Sequence, residues 1–341
     1  MNTNQITIMK MIQGFSLSAL LYNACKLHLF DEINLKRHTR STLAKQLNIS
    51  KNRINLILIP LIAKHFIVEK KEILMLTPLG EELIGNDKKN TLYSYIMFSG
   101  QISMPTWLEL SEGLQKDIPP FELKNDSKFF EKIEEEHHLQ MLFRTMMGNY
   151  TNSYNIQNWL EKFDYEFPYN FVDIGGGTGE FSNKLLSYFV SSKSLILDLN
   201  SVNNNLNLRK SKSFYDRINF KVQNFFEPYK VRGDIFILAK VLHDWNDKQA
   251  IKILNNVISN MSISSHIWII ETILPNGSIE DNYDEYMNAL NIWALCGGKE
   301  RNYNEFEELL SQLNLQIVEL HNIQNNEYLI DVTLNVTEGE I

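Results

Sequence analysis

Phe171-Val-Asp-Ile-Gly-Gly-Gly-Thr-Gly179 is an apolar run that breaks into glycines and resumes as the helical stretch Phe181 to Tyr188. Strand, tight turn and helix follow one another here. Four of the chain's 15 glycines fall within positions 175 to 179. Glycine lets the backbone turn sharply and approach a ligand closely, as the first strand-to-helix turn of a doubly wound sheet requires. The expected fold of this region is α/β and Rossmann-like, and the expected ligand contains a nucleotide.

Downstream, Ser194-Leu-Ile-Leu-Asp198 reads as a second strand, ending in an acid about twenty residues past the glycines, where a carboxylate can accept from ribose hydroxyls. A dinucleotide site shares that logic. Its third glycine, however, would fall at Glu180 or Ser182, and Asp173 stands two residues before Gly175, a place suited to an amino-acid ammonium group rather than a pyrophosphate. S-adenosylmethionine therefore fits better than NAD. A third strand, Arg217 to Gln223, runs into Asn224-Phe225-Phe226-Glu227-Pro228. Asn224 and Phe225 there could meet the edge and face of an adenine, or mark an ordinary strand-to-loop transition.

Strand four, Gly233 to Leu238, leads into Ala239-Lys-Val-Leu-His-Asp-Trp-Asn-Asp247 and a helix from Gln249 to Ser259. Strand five, Ser265 to Glu271, ends in a carboxylate. Ligands of open parallel sheets bind at the carboxyl ends of strands, so His243 and Glu271 should open into the crevice of Gly175 to Gly179. A phenol has a pKa near 10, and a neutral histidine within hydrogen-bond reach can take its proton. A neighbouring carboxylate would hold that ring in one tautomer, and Glu271 and Glu300, in Gly297-Gly-Lys-Glu-Arg301, are the two candidates.

These stretches, in this order and spacing over nearly the whole chain, resemble the metal-independent small-molecule O-methyltransferases, which include the caffeic acid, hydroxyindole and bacterial polyketide enzymes. The resemblance is carried by Val172 to Gly179, Leu197-Asp-Leu199, Phe225 to Pro228, Val241-Leu-His-Asp-Trp245, Glu271 with Leu274-Pro275, and Gly297 to Arg301. It implies a seven-stranded sheet whose last, antiparallel pair comes from Leu315–Leu320 and Tyr328–Val336. It implies His243 as general base with Glu271 and Glu300 flanking it, and S-adenosylmethionine held by Gly175, Asp198, Asn224 and Phe225; Asp173 and Gly177, read from the glycine motif itself, are further cofactor candidates. No metal is needed, because the sulfonium of the donor already activates its methyl group.

Departures from the family pattern stand at four places. Many relatives carry an acid where Asn224 stands, and plant members have lysine where Ala239 stands. Here the lysine is Lys240, an offset that resembles the bacterial branch and makes it a candidate cofactor contact. Asn200 replaces a common proline and Asn302 a common threonine.

The first hundred residues read as a mostly helical winged helix. Ser41 to Ser50 and Ile54 to Phe66 have helix-turn-helix spacing, and Ile67 to Leu76 forms a two-stranded wing. A DNA reader needs a basic second helix, whereas Lys51 to His65 is basic only in its first turn and apolar beyond it. Packing between subunits is the favoured reading, as in the family's homodimers. A transcription regulator with a ligand-sensing second domain is the alternative.

Net charge of -8 disfavours nucleic acid and anionic membranes as partners, so a small-molecule partner fits better, which the catalytic reading and the resemblance make a small hydroxylated acceptor. Ile6 to Phe30 is too interrupted by polar residues to span a bilayer. Two cysteines, Cys25 and Cys296, indicate a reducing, cytoplasmic setting. The expected division is 1–100 for dimerisation, 101–165 as linking helices contributing to the acceptor pocket, and 166–341 for catalysis. The helical stretches 127–150 and 281–296 should supply acceptor contacts, with Met147, Asn288 and Trp293 as candidates.

Overall fold

The computed structural model describes residues 2–85, 91–161, 163–164, 166–199, 215–275 and 279–335, so Asn200 and Val336 lie outside the described residues. Two compact units divide the chain: Met1–Pro105 with Glu136–Asn149, and Thr106–Glu135 with Tyr150–Ile341.

In the first unit, helices Thr3–Ile12, Gly14–Lys26, Leu29–Leu35, Arg40–Gln46 and Lys51–Ala63 precede an antiparallel hairpin of β1 (Ile67–Lys70) and β2 (Ile73–Leu76). Thr39 caps Arg40–Gln46 through a reciprocal box with Thr42, which satisfies first-turn N–H groups. Lys71 and Glu72 both take positive φ, the conformation a two-residue hairpin turn demands. Helix Lys51–Ala63 buries Ile54, Leu58 and Leu61 yet exposes Leu56 and Ile59. Helix Thr3–Ile12 buries nothing among the described residues.

The second unit is built on β3 (Asn170–Ile174), β4 (Lys193–Asp198), β5 (Ile218–Val222), β6 (Ile235–Ala239), β7 (His266–Leu274), β8 (Arg301–Asn302), β9 (Leu315–Gln324) and β10 (Glu327–Leu334). The sheet order is β5-β4-β3-β6-β7-β10-β9, with β8 beside the end of β7. From β5 to β7 the strands run parallel, and β10 is antiparallel to both neighbours. The seven-stranded expectation holds, and β8 is a short eighth strand the sequence did not announce.

Strands β3, β6 and β7 are buried almost end to end, because both faces of a parallel sheet are covered. Their side chains sort by the period of two: Phe236, Leu238, Ile267 and Ile269 join one core, while Ile235, Ile237, Trp268 and Ile270 join the other. Crossovers from β3 go to β4 on one side, and β6 lies on the other, so the switch point falls between β3 and β6. The glycine turn and the segment after β6 therefore emerge side by side. Among the described residues no helix is long and apolar enough to cross a membrane.

Candidate active site

Gly175, Gly177 and Gly179 all take positive φ, the left-handed region that side chains resist. Their surroundings differ. A Cβ on Gly175 would lie 2.9 Å from Val241 and 3.6 Å from the Phe225 ring, so this glycine lets three segments converge. At Gly177 a Cβ would meet nothing within 4 Å. Backbone there faces open space, as a ligand cradle should.

Asp198, at the end of β4, accepts from the N–H groups of Gly177 and Leu199, both at 2.7 Å. The carboxylate is thereby held beside the glycine turn. Asn224 is exposed, and its Oδ1 accepts from the Phe226 N–H at 3.0 Å, so the amide oxygen also stabilises a local turn. The Phe225 ring packs edge-on to Trp245 at 6.1 Å.

His243 sits on a 3-10 turn, Leu242–Asp244, directly after β6. The turn is held from three sides. Glu271 Oε1 accepts from the N–H groups of Val241 at 3.1 Å and His243 at 3.2 Å. Arg301, fully buried, donates to the carbonyls of Leu242 at 3.0 Å and Trp245 at 2.9 Å and to Asp247 at 2.9 Å. Lys299 N–H donates to the His243 carbonyl at 2.8 Å, and a Cβ on Gly298 would lie 2.1 Å from that same oxygen. Only glycine permits this approach.

The imidazole is buried and hydrogen-bonded through Nδ1 to Glu300 Oε1 at 2.9 Å, with Glu271 Oε2 at 3.6 Å. Nε2 has Asp244 Oδ1 at 3.6 Å, too long for a hydrogen bond. Burial by itself lowers the pKa of His243, but Glu271, Glu300 and Asp244 outweigh it and raise the value to about 10. Burial raises Glu271 to about 7 against the pull of His243 and Lys240. Glu300 is also buried, yet His243 and Lys240 draw it below the usual carboxylate range. The surrounding carboxylates thus favour the protonated form of the ring.

Residues 107–315 match the O-methyltransferase domain family. The chain belongs to this S-adenosylmethionine-dependent O-methyltransferase family. It is 26% identical over 261 residues to O-methyltransferase SfmM3 of Streptomyces lavendulae, covering 74% of this chain and 77% of the relative. Phenazine O-methyltransferase PhzM of Lysobacter antibioticus is 22% identical over 89% of each chain. The crystal structure of NcsB1, an O-methyltransferase of neocarzinostatin biosynthesis in complex with S-adenosylmethionine and 2-hydroxy-5-methyl naphthoic acid, superposes with a TM-score of 0.78 at 22% identity. That likeness covers 93% of this chain and 96% of the other. These matches lend nothing to the transcription-regulator alternative.

In this methyltransferase the expected residues separate into those the fold gathers and those it does not. His243, Glu271 and Glu300 form one buried cluster, and Asn288 joins it by donating to Glu300 Oε1 at 3.3 Å. Gly175, Gly177, Asp198 and Phe225 converge on the glycine turn. Trp293 is half-buried on the same helix as Asn288, Tyr283–Cys296, but about 140° around it, since five residues at 3.6 per turn do not share a face. Met147 lies half-buried on helix His137–Ser153, in the stretch belonging to the first unit.

Two further expected residues lie deeper in the fold. Asp173 has no exposure, accepts from Ser182 Oγ at 2.5 Å, and has its carboxyl carbon 2.5 Å from where a Cβ on Gly176 would lie. Burial lifts its pKa to about 6.

Lys240 takes a φ of 56° just after β6, and its ammonium pairs with Glu327 Oε1 at 2.9 Å and donates to Thr272 Oγ1 at 2.7 Å. Of the residues sequence reasoning passed over, Arg301 and Gly298 lay inside a quoted motif, while Glu327 and Thr272 carried no local signal.

Proposed function

We propose that this O-methyltransferase methylates a hydroxyl of a small, phenolic or polyketide-derived secondary metabolite by direct in-line transfer, with His243 as the general base. The observation that carries the reading is the 2.9 Å contact of Nδ1 with Glu300, which supports the opposite nitrogen, Nε2, as the one that takes the acceptor proton. When bound, S-adenosylmethionine supplies an electrophilic methyl group on a positively charged sulfonium. The residues present fit it: the open left-handed Gly177 and the carboxylate of Asp198 form a cradle for its nucleoside end, with Gly175, Phe225 and Asn224 alongside. Glu271 fixes the turn that aims the ring, and Glu300 stabilises the imidazolium formed on proton transfer.

His243→Ala should bind S-adenosylmethionine by calorimetry as the parent does while turnover falls about 10²- to 10⁴-fold. Undiminished turnover would sink the base assignment. A screen of phenols, catechols, hydroxyindoles and alkylated polyketide phenols with labelled donor would find the acceptor. His243, Glu271 and Glu300 also bring three donor atoms within 4.8 Å of one another, so a chelator control is needed. The metal-free reading expects an unchanged rate.

We further infer a cytoplasmic homodimer formed by residues 1–100, with catalysis in 166–341 and linking helices in 101–165. Exposed apolar side chains on the first helices support the dimer, and two free cysteines suit a reducing compartment. The chain's negative charge gives nucleic acid no attraction.

A further inference from the structure

Behind the histidine cluster lies a second set of buried polar groups with no place in the mechanism above. Glu327 Oε1 accepts from Lys240 Nζ at 2.9 Å, Thr272 Oγ1 at 2.8 Å and the Tyr150 hydroxyl at 2.5 Å. Lys240 Nζ also lies 5.8 Å from the centre of the Tyr150 ring and 3.9 Å from Glu271 Oε2. That carboxylate oxygen is itself 3.6 Å from His243 Nδ1 and has no hydrogen-bond partner among the described residues. A line of alternating charge therefore runs Glu327, Lys240, Glu271, His243, Glu300, with all five side chains less than a tenth exposed.

We propose that Lys240 and Glu327 are a buried positioning pair whose charges, acting through Glu271, set how tightly His243 holds its proton. The reading rests on His243 being the base. The geometry argues for function over simple packing. A lysine in the left-handed region is strained by about 1–2 kcal/mol, and an ion pair taken out of water adds little stability of its own. Strain and burial are kept here so that a fixed cation stands beside Glu271.

Other charged and titratable groups also face this line. They are Asp244 on the histidine turn, Arg301 from β8, Cys296 against Asp244 from helix Tyr283–Cys296, and Tyr150 and Tyr154. None is changed in the test, so their contribution is common to every variant.

The signs are opposite and follow from Coulomb's law. Removing the Lys240 cation takes away a positive charge that opposes the imidazolium, so the His243 titration moves up. Removing the Glu327 anion leaves Lys240 less neutralised, so the titration moves down. Each shift should be roughly one unit.

The experiment is a titration of the labelled His243 imidazole by nuclear magnetic resonance in the full chain. The signal is assigned by its loss in His243→Ala and followed in Lys240→Met, Glu327→Gln, the double variant and Lys240→Arg. Opposite shifts in the single variants, with the double variant and Lys240→Arg near the parent, are expected. If Lys240→Met fails to fold, Glu327→Gln against the double variant carries the same comparison, and the added Lys240→Met must move the titration back up.

Shifts in the same direction, or none, overturn the proposal. So does a loss of S-adenosylmethionine affinity in Lys240→Met beyond about tenfold without a titration shift, because the ammonium would then serve the cofactor. Full turnover in His243→Ala would instead strike only the base reading, since the titration needs no acceptor and no catalysis.

Discussion

His243 shows how much of this site is backbone control. Its peptide carbonyl is approached so closely by Gly298 that an added methyl would lie 2.1 Å from the oxygen, and the turn must move to admit it. Gly298→Ala is expected to lower turnover about 10²-fold through misplacement of the ring, a loss of the size that about 1 Å of displacement causes. Steady-state kinetics beside a melting curve would separate that loss from unfolding.

The charge around the ring yields a pH prediction at the same scale. With the free-enzyme value near 10, the neutral base is scarce at pH 7, and kcat/KM for the donor should climb about tenfold per unit between pH 7 and 9. A flat profile over that range would contradict the imidazolium. Glu300→Gln removes the anion at 2.9 Å from Nδ1, so the limb should shift to lower pH while turnover falls.

Elements are tied together here by cations that collect carbonyls. Lys184, on helix Glu180–Tyr188 immediately after the glycine turn, donates to the Asn152 carbonyl at 2.9 Å and to that of Tyr154, closing the end of helix His137–Ser153. Terminal carbonyls have no partner within their own helix, and a cation there also meets the negative end of the helix dipole. Lys184→Met should cost about 1–2 kcal/mol in chemical denaturation. Arg301 does the same for the histidine turn from β8, with a planar fork that a lysine cannot imitate. Arg301→Lys is therefore expected to lose both stability and turnover, and full activity in that variant would show the clamp to be dispensable.

Across the whole molecule, the first two helices expose Met11, Ile12 and Phe15 at 72%, 62% and 70%. Exposed apolar side chains of that kind are what the proposed dimer would cover. Ile12→Asp combined with Phe15→Asp should convert a dimer to a monomer in light scattering at micromolar concentration. Retention of the dimer would place the interface elsewhere.

The sequence by itself determined the doubly wound sheet and the glycine turn, and it offered Asp198, His243, Glu271 and Glu300 as candidates. The strands are announced locally as short apolar runs, and parallel strands deliver their ends to one edge whatever the details of packing. Tertiary structure alone decided what Asp173, Lys240 and Glu327 touch. Lys240 is a single left-handed residue, which no apolar pattern marks. Glu327 reaches the site because β10 inserts antiparallel between β7 and β9, setting it opposite Thr272, 55 residues away in sequence. Register between distant strands is fixed by packing of the assembled sheet, and the residues it brings together carry no shared signal along the chain.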